Sequence, residues 1–154
     1  MKIGGLLERN GLTLYQIRSR RDQPGMAATI LKFYARRQIN IEYLTEAGSP
    51  QGDAVLHVCI DDDHFEEVQE FMRENPMAIK DLQIHYERHM STIGIYGPHF
   101  REKPGIGARF CSLLGNAGIN IHGISSSISS ICCVIKTVHI EDARRAILSY
   151  FRLP

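Results

Sequence analysis

Two stretches of the chain combine an acid, a proline and a glycine in a pattern that suits recognition of a small zwitterion. Pro-Gly pairs at 24–25 and 104–105 each precede an apolar run, and an acid, Asp22 or Glu102, stands two residues before each proline. Backbone amides at a helix start lack intrahelical partners and lie at the positive end of the helix dipole, so they accept a carboxylate. The acid can bind an ammonium group. The pattern therefore predicts an α-amino-acid site.

Asparagines near the two turns add further hydrogen-bonding groups. Asn40 and Asn120 each occupy the centre of an Ile-Asn-Ile motif, and an amide side chain supplies both a donor and an acceptor. A purely structural explanation also stands: Pro-Gly is a good helix start, with proline at the first helical position, and asparagine is a common turn residue. The occurrence of the whole pattern twice favours the binding site.

The elements that position these residues are repeated at a shift of 80. Matching pairs run through both halves of the chain without a gap, which indicates duplication of one structural unit. The pairs are Arg21 and Arg101, Pro24 and Pro104, Gly25 and Gly105, Ala28 and Ala108, Val58 and Val138, Ile60 and Ile140, Asp62 and Asp142, and Phe71 and Phe151, together with the Ile-Asn-Ile motifs at 39–41 and 119–121.

Each unit has the hydrophobic pattern of strand, helix, strand, strand, helix, strand. Helices follow the Pro-Gly pairs and end at Gly118 and Gln38, where we expect a left-handed residue. The second strands begin at the Ile-Asn-Ile motifs. The other predicted elements are first strands 12–17 and 92–97, third strands 54–60 and 131–138, second helices 61–72 and 141–151, and a closing strand 82–87. This order predicts an α+β fold of two ferredoxin-like βαββαβ units, antiparallel sheets with helices on one face.

The second unit has no closing strand of its own, because only three residues follow its last helix. The apolar segment Lys2–Leu7 stands ahead of the first unit and is spare. We therefore expect it to cross over and complete the second sheet, which would otherwise have a bare edge. The predicted units are residues 10–88, and residues 1–9 together with 89–154.

Composition excludes several classes of protein. The 154 residues are 44% hydrophobic and 23% charged with a formal net charge of +1, so no overall field attracts nucleic acid or a membrane. No signal peptide or spanning segment is recognisable. The four cysteines form no CxxC pair, so free thiols and a cytoplasmic location are expected. No cofactor is expected.

Other readings of the chemistry carry less support. His85 and His89 are spaced as two metal ligands could be, but no third ligand is evident. The third strands lack the paired aromatic residues of RNA-recognition modules. A small enzyme on the same fold, such as an acylphosphatase, would depend on Arg101, and a pure assembly module would have no ligand. No nucleophile–base set is recognisable.

At these residues the chain resembles ACT domains, specifically the tandem regulatory pair at the C-terminus of aspartokinases. The matching stretches are "KIGGLLERNGLTLYQI", "DQPGMAATILKFYARRQINIEYL", "HFREKPGIGARFCSLLGNAGINIHGISSSISSICCVI" and "EDARRAILSYF". They cover nearly the whole chain, and "PGIGARF…AGINIHGISSS" is similar to the family's PGVxARxF…xxINIxxISTS. The resemblance implies a free-standing sensor, or a separate regulatory subunit, that binds an amino acid such as lysine or threonine between ACT units. It implies no catalytic residues, a homodimer, and an aspartokinase or other biosynthetic enzyme as partner.

The resemblance also implies the ligand-binding residues. The first unit contributes Asp22, Gln23, Gly25, Met26, Ala27, Asn40 and Glu46, and the second unit, from a partner chain, contributes Asn120, Ile121, Ser125, Ser126 and Ser127. Two positions depart from the family pattern. Glu46 stands where the family often has glutamine, and its negative charge either favours a cationic ligand such as lysine or simply faces solvent. Ile128 replaces a usual glutamate and puts a second-unit effector site in doubt.

Overall fold

The computed structural model describes residues 1–20 and 26–154, and for Met26 it describes the backbone but not the side chain. Its elements alternate in the predicted order, and the α+β prediction is confirmed. They are β1 (Gly5–Ser19), α1 (Met26–Arg36), β2 (Ile41–Gly48), β3 (Ala54–Asp61), α2 (Phe65–Glu74), β4 (Leu82–Tyr96), α3 (Ile106–Asn116), β5 (Gly123–Ser126), β6 (Ser130–Lys136) and α4 (Ile140–Leu148), with short 3-10 turns at Asp62–His64 and Thr137–His139.

The chain divides into two compact units. The first unit is Gly11–Arg88, and the second unit combines Met1–Asn10 with His89–Pro154. Within the first unit the strand order is β2-β3-β1-β4, and within the second it is β1-β4-β6-β5. The pairs of β3 with β1 and β2, and of β6 with β4 and β5, are antiparallel.

The first unit buries one sheet face under its two helices. Tyr15 and Ile17 of β1 alternate with residues of the opposite face, as the period of two in a strand requires. Phe33 of α1 stacks on Phe71 of α2 with ring centroids 3.8 Å apart, which joins the helices to each other. The core also contains Tyr34, Ile39, Leu56, Val58, Ile60, Phe65 and Val68.

The second unit has an equivalent core, to which the N-terminal segment contributes. Ile3 is buried among residues of β4, β6, α3 and α4. Its amide donates to the carbonyl of Arg152 at 2.9 Å, and the amide of Gly4 donates to the carbonyl of Tyr96 at 2.7 Å. Glu8 accepts two hydrogen bonds from Arg144 on α4. Residues near the start of the chain therefore supply both core and backbone partners to this unit.

Strands predicted as separate pieces are continuous. Segments 2–7 and 12–17 were predicted apart, but β1 runs from Gly5 to Ser19. Likewise, segments 82–87 and 92–97 belong to β4, which runs from Leu82 to Tyr96. Each long strand contains one residue with positive φ, Gly11 at 69° and His89 at 59°. These residues lie at the boundary between the units, where a local change of backbone direction replaces the expected loop.

Both first helices close with the same left-handed motif, as expected. Gln38 and Gly118 have φ of 56° and 72°. The next amides, of Ile39 and Ile119, reach back to the carbonyls of Tyr34 and Leu114 at 2.9 and 3.0 Å. This six-to-one bond is the Schellman arrangement, and the isoleucines pack into the cores beside those partners.

The Ile-Asn-Ile motifs therefore begin with a helix-closing residue, which corrects the prediction that a strand starts there. In the first unit, β2 starts at Ile41, the last residue of the motif. In the second unit, β5 starts only at Gly123, four residues after Ile119. The physical reason is that the amide of Ile119 is used by the helix, and ladder pairing starts only with the amide of His122, which donates to the carbonyl of Val134.

Candidate functional site

The Pro-Gly turn of the second unit differs from the predicted helix start. Pro104 is not the first helical residue, because α3 begins at Ile106 and Gly105 is its N-cap, with φ 91° and ψ −1°. A left-handed N-cap suits glycine because a Cβ is strained there. The proline therefore shapes the turn ahead of the helix instead of opening its first turn.

The start of α3 is open to solvent. Among the described residues, no side chain hydrogen-bonds to the N-cap turn, and none comes within 4 Å of where a Cβ of residue 105 would lie. The first amide of α3 with a backbone acceptor is that of Arg109, which donates to the carbonyl of Gly105. The three amides before it therefore have no intrahelical acceptor. Three uncapped donors at the positive end of a helix dipole can accept a carboxylate.

The acid beside this turn lies on the surface. Glu102 and Lys103 are both exposed, and their amides donate to the carbonyl of His99 at 3.1 and 3.2 Å. Phe100 packs partly buried against the second-unit core and anchors the loop. Glu102 is therefore held near the helix start by a fixed backbone, with a neighbouring lysine that offsets its charge.

The corresponding turn of the first unit lies outside the described residues. Asp22, Gln23 and Gly25 belong to that stretch, so their predicted role stays a prediction. Of the remaining turn residues, Met26 is the first residue of α1, and Ala27 is partly buried against the first-unit core.

The second-strand residues of the first unit lie beside α1. Asn40 is exposed immediately after the helix-closing Ile39, and Glu46 is exposed on β2. Glu46 stands opposite Leu56 of β3, a core residue under the helices. Because directly paired residues share a sheet face, Glu46 projects on the helix-bearing side. Both side chains are available to a ligand bound near the edge of that sheet.

The predicted ligand-binding residues of the second unit differ in exposure and in the face of the sheet from which they project. Asn120 is exposed in the loop before β5, whereas Ile121 packs partly buried against the core. Ser125 pairs with Cys132 and Ser126 with the core residue Ile131, so the two serines project from opposite faces of β5.

Ser127 has a structural role at the tip of the β5–β6 hairpin. Its hydroxyl lies 2.9 Å from that of Ser130 and accepts a hydrogen bond from the amide of Ser129 at 3.3 Å. The three serines 125–127 therefore cannot meet one ligand from a single side of the strand.

A buried cavity in the first unit is too small for a free amino acid. It has a volume of about 60 Å³ and lies among apolar side chains that include Phe33, Phe71 and Leu82. Ligand pockets are usually several hundred cubic ångströms. Tyr15 borders the cavity, and burial of its hydroxyl raises its pKa, with the charge of Asp62 as a smaller cause. This apolar cavity is therefore not a candidate effector site.

Polar clusters that the sequence analysis did not find occupy equivalent places in the two units. In the first unit, Thr13 donates to Asp62 at 2.5 Å, and Arg88 donates to both oxygens of the same carboxylate. In the second unit, Ser91 donates to Asn10 at 2.8 Å and lies 2.7 Å from the hydroxyl of Thr137.

Each cluster joins the first strand, the turn after the third strand and the closing strand. Their residues differ in type and lie far apart in the chain, so a comparison at one fixed shift gives no signal for them.

The described cysteines and histidines outside the turns form no arrangement typical of a catalytic or metal site. Cys111, Cys132 and Cys133 are free thiols, and burial raises the pKa of Cys132 and Cys133, so these two are poor nucleophiles. Within residues 1–20 and 26–154, no three His, Cys, Asp or Glu side chains are grouped as metal ligands would be. None of the helices in the part of the chain that the structure describes has the length and hydrophobicity needed to span a bilayer.

Comparison with known proteins identifies the fold of the second unit. Residues 93–151 match the family model for the ACT domain. The chain is 30% identical over 135 residues to an aspartokinase of Mycolicibacterium smegmatis, a match that covers 86% of this chain and 32% of that protein. The chain thus spans about a third of the length of this relative.

Solved structures match over nearly the whole chain. The regulatory subunit of aspartate kinase from Thermus thermophilus, in a ligand-free form, superimposes with a TM-score of 0.82 at 20% identity, covering 96% of this chain and 97% of that one. Escherichia coli aspartokinase III in complex with lysine and aspartate gives a TM-score of 0.69 at 17% identity, covering 96% of this chain and 32% of that one.

Residues 93–151 therefore belong to the ACT domain family, which confirms the resemblance inferred from the sequence. More particularly, the chain is related in sequence to aspartokinases and has the fold of aspartate kinase regulatory subunits.

Proposed function

We propose that this protein binds a free α-amino acid between ACT units and thereby controls a partner enzyme without catalysing a reaction itself. The observation that carries the proposal is the exposed, uncapped start of α3 at Gly105, with an acid three residues away. The same sequence pattern at Asp22 and Gly25 makes the first unit the principal ligand-binding unit. Asn40 and Glu46 complete it from the neighbouring strand.

Lysine is the favoured ligand, and threonine is the alternative. Glu46 is exposed and supplies a negative charge on the helix-bearing side of β2, where the ammonium group of a lysine side chain would be stabilised. The E. coli relative was solved with lysine, which supports the same class of effector. Glu102 and Lys103 stand together at the second turn, so their opposite charges make that turn less selective.

The proposed assembly is a homodimer in which Asn120 and Ile121 of one chain approach the first-unit turn of the other. A ligand held by two chains couples binding to assembly, since each event strengthens the other by the same factor. The favoured partner is an aspartokinase, which is supported by the similarity of fold to a Thermus regulatory subunit of aspartate kinase.

Thermal unfolding in the presence of each of the twenty amino acids tests the proposal, followed by titration calorimetry with lysine and threonine. We expect lysine to raise the melting temperature. We expect Gly25→Asp to abolish this increase, because the new carboxylate would fill the space at the carboxylate-binding amides and repel the carboxylate of the ligand. Gln51→Asp, in an exposed turn of the same unit, adds the same charge elsewhere and is the matched control.

A response that survives in Gly25→Asp would refute the assignment of the site. If no amino acid changed stability and sedimentation still gave a dimer, the chain would be a ligand-free assembly module.

A further inference from the structure

We propose that the sheet face of the first unit that lies opposite its helices is a second binding site, for a small dianion that carries phosphate or carboxylate groups. This site goes beyond the amino-acid site proposed above and lies on the other side of the sheet. It rests on side chains within the described residues 16–20 and 26–85 and on none of those assigned to the amino-acid effector.

The face is concave and is built from four neighbouring strands. A hollow of about 540 Å³ is lined by side chains of β1, β2, β3 and β4. That volume lies in the range of small-molecule sites. Because Gln16 and Arg18 alternate along β1 with the core residue Ile17, they project away from the helices. Side chains on paired strands form a rigid base for a ligand.

The polar groups in the hollow can all donate hydrogen bonds. Gln16 lies directly opposite His57 of β3, and His57 lies opposite Thr45 of β2. His85 of β4 lines the same hollow as Gln16 from the other side, so the Gln16 amide lies between two imidazoles. None of the described residues that line this hollow carries a carboxylate, which leaves its donors without an anionic group among them.

The cation of the site is Arg18, at the end of the hollow nearest the start of β3. It lies opposite Val55 and is exposed. A guanidinium presents parallel donors that match the oxygens of a phosphate or a carboxylate. Arg18 and the imidazoles of His57 and His85 together can surround a dianion from three strands.

Acidic groups border the hollow without entering it. Asp53 precedes β3 and is close enough to Arg18 for that charge to lower its pKa, but its carboxylate accepts a hydrogen bond from Ser49, the largest cause of the shift. Glu87 follows His85 by two residues on β4 and lines the neighbouring small hollow with Gln16. These two acids set the edges of the site and favour a compact ligand over an extended one.

Binding of a dianion in the hollow is coupled to protonation of His57. His57 is half-buried, and burial lowers its pKa below the ordinary 6.5, so its imidazole is neutral at pH 7.5. A dianion in the hollow stabilises the protonated form and raises that pKa. Anion binding therefore takes up a proton, and the affinity increases as the pH falls.

Titration calorimetry of the full chain with sulfate tests the site, since sulfate stays a dianion across the pH range. Chloride at equal ionic strength is the reference, and succinate is the carboxylate probe. We expect sulfate to bind about tenfold more tightly near pH 5.5 than near pH 7.5, with proton uptake seen as a dependence on buffer ionisation heat. Tighter binding of sulfate than succinate indicates a phosphate-type ligand, and the reverse order indicates a dicarboxylate.

Three variants locate the binding. Arg18→Gln and His57→Gln are each expected to weaken sulfate binding by about tenfold, the effect of losing one charge-assisted hydrogen bond. Arg73 is exposed on α2 of the same unit, so Arg73→Gln makes the same charge change on the helix side of the sheet. This variant is expected to leave sulfate binding unchanged. Circular dichroism and thermal unfolding without anion establish that each variant is folded.

NMR titration of the histidine imidazoles gives an independent readout of the same event. Sulfate is expected to raise the pKa of His57 in the unmodified protein. No saturable binding beyond chloride, equal loss in Arg18→Gln and Arg73→Gln, or an unchanged pKa of His57 would each overturn the proposal. The lysine response is expected to persist in Arg18→Gln, and sulfate binding is expected to persist in Gly25→Asp, so failure of one site is distinguishable from failure of the other.

Discussion

Arg88 holds the carboxylate of Asp62 through two hydrogen bonds, from Nε to Oδ1 at 2.8 Å and from Nη2 to Oδ2 at 2.6 Å. The same Oδ1 accepts a hydrogen bond from the buried hydroxyl of Thr13, and the Arg88 guanidinium lies 4.0 Å above the ring of Phe65. One carboxylate thus joins the first strand, the turn that leads into α2 and the closing strand of the first unit.

This relationship predicts strong coupling between Thr13 and Asp62. Asp62→Ala is expected to destabilise the protein by about 1–3 kcal/mol, because the buried Thr13 hydroxyl loses its acceptor. Thr13→Val in the Asp62→Ala background is expected to cost much less than in the natural protein, since no unpaired hydroxyl remains. Urea unfolding of the two single variants and the double variant measures the coupling.

The equivalent cycle in the second unit is the control. Ser91→Ala combined with Asn10→Ala tests a neutral cluster at the same position, and we expect a smaller coupling because no ion pair is present. Additive free energies for Thr13→Val and Asp62→Ala would contradict the prediction.

The N-terminal segment is predicted to be indispensable to the second unit. Ile3→Ala is expected to destabilise the protein by about 2–5 kcal/mol, because a buried side chain is removed from the core. Leu7→Ala in the same N-terminal segment is the matched control, since Leu7 is 61% exposed and its truncation is expected to change stability little. Thermal and urea unfolding measure both variants.

Removal of residues 1–8 extends this test to the crossover itself. We expect the truncated protein to unfold or aggregate, because the core loses Ile3 and Arg144 loses Glu8. A truncated protein as stable as the full chain would rule the crossover out.

The two left-handed helix ends predict opposite effects of exchanging their residues. Gln38→Gly is expected to stabilise the protein by up to about 1 kcal/mol, because glycine adopts φ of 56° without the clash of a Cβ. Gly118→Gln is expected to destabilise it by about 1–2 kcal/mol for the same reason.

Arg37→Gly, one residue before Gln38, is the control, and it should destabilise slightly. Urea midpoints for the three variants give the comparison. Equal changes in Gln38→Gly and Arg37→Gly would show that the conformation at 38 carries no strain.

The stability of the protein is predicted to fall with acid through His57. Burial lowers its pKa in the folded state, so below pH 6.5 the unfolded chain binds more protons than the folded one. The contribution is complete above pH 6.5 and is lost as the pH falls from there to the lowered folded value. The expected loss is below about 1 kcal/mol, because the imidazole is only half-buried.

Urea unfolding in chloride buffers from pH 7.5 to pH 5 measures this loss. His57→Gln should flatten the profile in that window, and His85→Gln, exposed on β4 with β1 between it and His57, is the matched control. A profile unchanged by His57→Gln would exclude this residue as the cause.

Much of the fold follows from local signals in the sequence. The repeat at a shift of 80 predicts two units of one type, and hydrophobic periodicity predicts each helix. The shift of 80 holds for the first helices, but the 3-10 turns and the second helices are related by a shift of 75, so the matched pairs from Val58 and Val138 onward are not structurally equivalent. The positive φ of Gly118 follows from its type, and that of Gln38 follows from its place in the repeat. These features depend on residues close together in the chain, which is why the sequence reveals them.

Features that depend on distant contacts were predicted less well. The start of β5 was wrong because the amide of Ile119 is already used by Leu114, a choice between two partners that residue types do not express. The divergence of Ser125 and Ser126 depends on pairing with β6. The Thr13–Asp62 contact joins residues 49 apart and has no local signature.

The composite second unit has a consequence for synthesis on the ribosome. Residues 1–10 are made before the first unit, but their backbone partners at Tyr96 and Arg152 are made after the whole of that unit. The apolar segment that contains Ile3, Leu6 and Leu7 therefore has no strand partner while about eighty further residues are synthesised. During translation this nascent strand is the natural target for a chaperone, and slowing elongation prolongs the interval in which it can pair wrongly with another chain.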